Sequence, residues 1–138
     1  MSLDTAGAYC LASAIIGDGG YDLFTNGNAA LGVGDDDTAF AVGQTKLQAE
    51  ENSTNALRKA MNAGYPLRDP DSDDSDGKIR FQSTFLTSEG NFQWKEYGVF
   101  NDDTASGGQM LARWVETIGT KTSAAQWVFE LDVVIGTS

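Results

Sequence analysis

Residues 91–113 constrain the fold most strongly, because their pattern is typical of two antiparallel strands joined by a tight turn. From residue 92 to residue 100 the side chains alternate between two faces, one with Phe92, Trp94, Glu96, Gly98 and Phe100 and the other with Gln93, Lys95, Tyr97 and Val99. A polar connection ending in Gly107 and Gly108 leads into a second run from residue 110 to residue 115. Alternation with aromatic enrichment indicates a half-buried strand, and paired glycines allow the positive φ of a return turn. We therefore predict a β-hairpin.

Four strand candidates follow one another in the second half of the chain, at residues 78–87, 92–100, 109–116 and 126–135. Consecutive strands with short connections favour an antiparallel sheet. The sequence thus predicts an α+β, mainly β fold: an antiparallel β-sandwich or open barrel with an N-terminal helix packed on the sheet. At 138 residues the chain is expected to form a single domain, with its β-rich part at about 78–136.

The same alternation predicts which side chains form the core. In the last strand Trp127, Phe129, Leu131, Val133 and Ile135 are expected to point inwards, with Glu130 and Asp132 facing solvent. The predicted core comprises Phe81, Phe85, Phe92, Trp94, Phe100, Trp127, Phe129, Leu131 and Val133.

The first half of the chain has weaker patterns. Asp4 is a suitable N-cap for a helix at about 4–16, and Gly17 is a suitable stop. The apolar run 29–33 predicts a short buried strand, and 44–60 predicts one or two short helices. The polar segment 69–77 predicts an exposed loop.

Charge and residue usage exclude several classes of function. Twenty acidic and nine basic residues give a net charge of −11, with no basic cluster, so neither nucleic acid nor an anionic membrane is an expected partner. The acidic excess is mostly Asp and resembles that of proteins from halophilic organisms, in which molar salt screens self-repulsion. An acidic surface protein of a mesophilic organism is the alternative. The chain lacks histidine, which excludes Ser-His-Asp catalysis and histidine metal sites, and its one cysteine, Cys10, is predicted to be a buried apolar group. We expect no enzyme activity and no cofactor.

Clustered carboxylates raise a calcium hypothesis, since hard cations prefer oxygen ligands. The candidates are Asp69, Asp71, Asp73, Asp74 and Asp76. An EF-hand loop does not fit, because the sixth position would be Asp instead of Gly and the twelfth would lack Glu. A solvated acidic loop is the favoured interpretation, and a different kind of ion site is the alternative.

Two further constellations have both a functional and a structural interpretation. Glu96, Glu116 and Glu130 lie on neighbouring predicted strands and could supply a glycosidase pair, but pairing of Glu96 with a cation such as Arg113 or with backbone donors is favoured. Aromatic residues on the strands could form a sugar-binding platform, although a core or an oligomer interface is the more usual use of such a pattern. This set is Tyr65, Trp94, Tyr97, Trp114 and Trp127.

Several short motifs occur in an order that resembles a known family. They are Gly32-Val33-Gly34-Asp35, the run 57–66 (LRKAMNAGYP), Phe81-Gln82-Ser83-Thr84-Phe85, the run 94–101 (WKEYGVFN) and Gly119-Thr120-Lys121. Together they resemble small structural proteins encoded in the virion-morphogenesis regions of tailed phages and tailed archaeal viruses. The resemblance implies a virion component, either a tail or baseplate accessory or a capsid-surface decoration (turret) component. With the acidic composition, it points to a tailed virus of a halophilic archaeon.

A virion part recurs in symmetric copies, so the expected partners are other copies of the chain and other virion proteins. Both faces of the strand 92–100 carry apolar groups, which suggests that one covers the core and the other meets a neighbour. The sequence therefore predicts a subunit contact at or near Tyr97, Val99 and Trp114, with the N-terminal helix free to dock on another protein. A β-sandwich module that binds a host-surface glycan is the alternative.

Overall fold

The computed structural model describes residues 3–53, 55–72 and 77–135. The helices are α1 (Thr5–Ile16) and α2 (Gln48–Asn52). The strands are β1 (Ala30–Gly34), β2 (Ala56–Ala60), β3 (Leu67–Arg68), β4 (Gly77–Phe85), β5 (Gln93–Phe100), β6 (Met110–Thr120) and β7 (Trp127–Ile135).

The strands form two antiparallel sheets that pack face to face. One sheet has four strands in the order β2-β1-β5-β6, and the other has three in the order β3-β4-β7. Leu31 and Val99 of the larger sheet meet Phe81 and Val133 of the smaller one in a shared apolar cluster. The predicted fold class is confirmed, and the two separate sheets make it a sandwich.

The predicted hairpin is β5–β6, but β5 does not alternate strictly. Its pairing with β6 shifts between Trp94 and Glu96 and again between Val99 and Phe100. A shift of this kind changes which face the following side chains occupy. Trp94 and Tyr97, which strict alternation places on opposite faces, consequently pack in one cluster between the sheets.

The register of the smaller sheet agrees with the sequence. In β7, Glu130 and Asp132 are exposed, whereas Val133 is buried, as the alternation predicted. Among the predicted core residues, Phe81, Phe85, Trp94, Phe100 and Val133 are buried, and Phe92, Trp127, Phe129 and Leu131 are partly buried. Ile135, at the end of the strand, is 40% exposed, so the inward direction predicted for it is only partly realised.

The outer face of the four-stranded sheet is covered by the chain itself. Leu47, just before α2, packs with Phe100 and Met110 in a separate buried cluster. Helix α2 lies within the region 44–60 where helices were predicted, but Ala56–Ala60 forms β2 instead. The helix prediction is wrong there because pairing with β1 along all five residues outweighs the local preference.

Helix α1 begins and ends as the sequence predicted. The Asp4 carboxylate accepts a hydrogen bond from the Gly7 N–H, and Gly17 ends the helix with φ 66°. Gly7 allows close packing on β6, since a Cβ there would come within 2.1 Å of the Leu111 carbonyl oxygen. The buried residues of α1 are all small, namely Gly7, Cys10 and Ser13. An apolar cavity of about 120 Å³ consequently remains between α1 and the sheets.

Candidate functional site

The acidic loop contains no assembled ion site in the part that the structure describes. Asp71 accepts a hydrogen bond from Lys78 at 2.8 Å and lies 3.5 Å from Arg80, and both cations lower its pKa. Asp69 follows β3, and its backbone N–H donates a hydrogen bond to the Lys78 carbonyl oxygen. Asp73, Asp74 and Asp76 lie outside the described residues. No group of three or more Cys, Asp or Glu side chains among the described residues is placed to hold a metal ion.

The three glutamates from which an acid–base pair could be drawn each have a different partner. Glu96 is enclosed on the α2 side of the larger sheet and pairs with Arg113 at 2.9 Å. Glu116 accepts a hydrogen bond from the Tyr97 hydroxyl, and burial together with this carboxylate raises the pKa of Tyr97 to about 12. Glu130 is exposed on the smaller sheet, where the side-chain amide of Gln82 donates to it.

The environment of Glu96 shows a structural use of the carboxylate. Its two oxygens accept hydrogen bonds from the backbone N–H groups of Gln48 and Ala49 at 2.7 and 2.8 Å, in the first turn of α2. Arg113 in turn donates to the Thr38 carbonyl oxygen and to the Gln44 side chain. The pair therefore holds the covering segment, residues 35–53, on the sheet at Thr38, Gln44, Gln48 and Ala49, as the favoured structural interpretation of Glu96 predicted.

A second buried ion pair lies beside it. Arg58 donates to both oxygens of Glu50, at 2.7 and 3.1 Å, and to the carbonyl oxygens of Asp102 and Gly107 in the β5–β6 connection. Its guanidinium group also lies 3.6 Å from the centre of the Phe100 ring. One buried cation thus joins α2, β2 and the hairpin loop.

Several polar residues of the motifs make contacts inside the fold. Lys121, 1% exposed, donates to the Leu86 carbonyl oxygen and the Asn91 side chain, which ties the β6–β7 connection to the β4–β5 turn. Asn101 exchanges hydrogen bonds with Gln109 across the hairpin. Like Arg58 and Glu96, these residues have structural contacts within the fold.

The premise of the predicted subunit contact does not hold. Val99 is fully buried, and Tyr97 is only 9% exposed. The ring of Trp114 stacks on that of Tyr97 with 5.4 Å between the ring centres. All three pack between the two sheets, and the opposite face of β5 is covered by residues 35–53 instead of by a neighbour. Burial also prevents Trp94 and Tyr97 from forming an exposed sugar platform.

Among the helices and strands, α1 carries the most exposed large apolar side chains. Tyr9, Ile15 and Ile16 are 58%, 76% and 74% exposed. Together these three side chains leave roughly 400 Å² of mostly apolar surface in solvent, a size at which apolar surface is often functional. Tyr21 and Leu23, in the segment after the helix, are also exposed and share a groove with Ala14. We call the outward side of α1 the α1 surface, and it is the candidate functional site.

The charge distribution makes the α1 surface distinct. Residues 5–16 contain no Asp, Glu, Lys or Arg, although the chain has 29 such residues in all (20 acidic and 9 basic). Three of the nine basic residues, Arg58, Arg113 and Lys121, are buried, so few cations remain to offset the acidic exterior. A neutral apolar helix is therefore displayed on a strongly negative protein.

The sequence predicted the subunit contact on β5 and β6 and left the N-terminal helix free to dock on another protein. The signal on that helix is the uncharged run TAGAYCLASAII, which has apolar residues around the entire helix and not along one side. Such a helix either is buried on all sides or leaves an apolar face uncovered. The small residues Gly7, Cys10 and Ser13 face inwards, whereas the large residues Tyr9, Ile15 and Ile16 are exposed.

No helix in the described part of the chain is both long and apolar enough to cross a membrane. Comparisons with known protein families, with curated proteins and with solved structures found no significant match to this chain.

Proposed function

We propose that this chain is a non-enzymatic structural component of a tailed-virus particle, from a virus of a halophilic archaeon. Within the particle it serves as a tail or baseplate accessory or as a capsid-surface decoration (turret) component. The observation that carries the proposal is the α1 surface, where Tyr9, Ile15 and Ile16 stand in solvent on a helix without charges. Exposed apolar side chains on an uncharged helix support a contact with another protein.

The contacts of the motif residues support the same function. Two residues of the motifs that resemble the virion family help to hold the sandwich together, since Glu96 pairs with Arg113 and Arg58 pairs with Glu50. Contacts that stabilise the scaffold suit a structural protein that must keep its shape while many copies assemble. The acidic exterior suits a particle exposed to molar salt.

Quantitative mass spectrometry of density-purified virus particles tests this function. The expected result is the chain at a fixed, integral copy number relative to the major capsid protein, retained after a wash in high salt. Immunogold labelling then distinguishes tail from capsid. Absence of the chain from purified particles that are otherwise complete would overturn the proposal.

Binding to a host-surface glycan is the competing function, and a separate assay addresses it. The purified protein is passed over immobilised host-surface polysaccharide in high salt. The virion role predicts no retardation of the chain alone. Retardation that is abolished by free polysaccharide, together with absence from particles, would favour the binding module.

A further inference from the structure

An apolar cavity of about 120 Å³ lies at one end of the sandwich, between α1 and the ends of three strands. Cys10, Leu11 and Ala14 of α1 form one wall, and apolar side chains of β4, β6 and β7 form the others. Protein interiors contain few voids larger than a water molecule. A space of this size inside a small domain is therefore a candidate binding site.

The packing of α1 keeps the cavity open. A Cβ at Gly7 would come within 2.1 Å of the Leu111 carbonyl oxygen, so this part of the helix already touches β6 and cannot move closer. Further along the helix, Cys10 and Ala14 are too small to fill the space that remains beside them. The cavity is therefore a consequence of the fold and needs no ligand to form.

The lining of the cavity disfavours water. Among the described side chains that line it, Cys10 alone carries a polar atom, and a thiol is a weak hydrogen-bond donor. Burial raises the pKa of this thiol, with a smaller effect from the Asp4 carboxylate, so the group stays neutral. A buried water needs about two to four polar partners, which this lining does not provide. An occupant must therefore be apolar where it touches the walls.

The cavity has a closed floor and an accessible mouth. Phe81 and Val133, on the floor, are each 1% exposed. Ala14 and Ile135, at the rim, are exposed. A small molecule can thus reach the floor without separation of the two sheets, and a longer molecule can keep its polar end at the rim.

The volume suits a group of about the size of one aromatic ring. A protein cavity of about 150 Å³ with an apolar lining stays dry and binds benzene or xenon. We propose that the cavity under α1 is a binding site for a hydrocarbon group of this size, either a whole small molecule or the end of an alkyl chain. This inference does not depend on the virion role, because it concerns the inward side of α1 and not the α1 surface.

Titration of the full chain in molar KCl with benzene and, separately, with 1-hexanol tests the site. Methyl NMR spectra are expected to show saturable shifts concentrated at Leu11, Ile79, Leu111 and Val133, which line the cavity. The melting temperature should rise with ligand concentration, because the ligand binds only the folded chain. Binding of either ligand there supports the site: benzene alone would indicate whole small molecules as its ligands, and hexanol alone would indicate alkyl chain ends.

Two variants that fill the cavity should remove binding. Ala14→Leu and Cys10→Leu should each weaken benzene binding about tenfold or more, because the added side chain occupies the space of the ring. Ala12→Leu is the matched control, since Ala12 is exposed on the outward side of the same helix and undergoes the same change. This variant should bind benzene like wild type. The melting temperatures of the free proteins show whether each variant remains folded.

Absence of saturable shifts at the lining methyl groups with both ligands would overturn the proposed site. Undiminished binding in folded Ala14→Leu and Cys10→Leu variants, or an equal loss in Ala12→Leu, would overturn it as well. None of these outcomes bears on the virion role, which purified particles test separately.

Discussion

Glu96 and Arg113 form an ion pair with 2.9 Å between Oε1 and Nε, and both side chains are 0% exposed. The pair joins neighbouring strands of one sheet, β5 and β6, on the face that residues 35–53 cover. Because two backbone N–H groups of α2 also bind Glu96, the pair connects the sheet to its outer layer.

Glu96→Gln should reduce the free energy of unfolding by about 3–5 kcal/mol, because removal of one partner leaves a buried charge uncompensated. Arg113→Met should have a similar effect for the same reason. The double variant should lose less than the sum of the two single changes, because each single change already breaks the pair. Urea unfolding of the four proteins measures this, and strictly additive losses would contradict a coupled pair.

Phe85→Ala should cost about 3–5 kcal/mol, the usual loss for a fully enclosed aromatic ring. Phe85 is 0% exposed, and its ring lies 4.9 Å from that of Trp94. Phe129→Ala should cost less, because Phe129 is only partly buried, although its ring approaches Tyr97 at 5.4 Å. Chemical denaturation of both variants gives the comparison, and a larger loss at Phe129 would contradict the described packing.

The extent to which the sequence predicted the fold depended on how local each signal was. Asp4 and Gly17 cap the two ends of α1 through contacts within a few residues, so the sequence was sufficient to place both ends. The register of β7 followed from its own alternation. Strand β2 was missed because its partner β1 lies more than 20 residues earlier, and no local pattern within residues 56–60 indicates that pairing.

The surroundings of β5 were predicted less well than the fold. The sequence indicated a cation as the partner of Glu96, but the covering segment that Glu96 binds could not be read from any periodicity. The irregular pairing of β5 then moved Trp94 and Tyr97 to the same side of the sheet. Without the covering segment and the irregularity, the strand seemed to have a free apolar face, and the contact was assigned to Tyr97 and Val99.

Melting temperature should rise steadily from low salt to molar KCl. The net charge of −11 opposes folding through self-repulsion, and screening removes that opposition. A variant with Asp22→Asn, Asp37→Asn and Asp103→Asn, all exposed positions, should show a smaller rise. Millimolar Ca²⁺ at constant ionic strength should add little. A flat salt response would contradict the halophilic origin, and a large calcium response would indicate that the acidic loop binds ions.

Stability should also depend on pH through Asp4. Burial raises the pKa of Asp4 from 3.8 to about 6, against the opposing effect of the hydrogen bond from Gly7. Between these values the folded chain holds a proton that the unfolded chain releases, so this contribution to stability is present at low pH and is lost as pH rises through about 6.

Asp4→Asn isolates that contribution, because asparagine also caps helices but does not titrate. The difference in free energy of unfolding between wild type and this variant should shift in favour of wild type as pH falls from 7 to 4.5. Carboxylates with lowered pKa values, such as Asp132 beside Arg80, act in the opposite direction but are common to both proteins. A difference that is independent of pH would contradict the raised pKa.

Replacement of both Tyr97 and Trp114 by Ser distinguishes a core from an interface. If these residues met a neighbouring subunit, the double variant would fold and fail only to assemble. The stacked rings instead lie between the sheets, where Tyr97 also contacts Phe129 edge to face. We therefore expect the double variant to be unfolded or strongly destabilised as a monomer, with a loss of more than about 3 kcal/mol. Circular dichroism at a concentration where wild type is monomeric measures this. A native spectrum with normal stability would indicate that the subunit contact lies on β5 and β6.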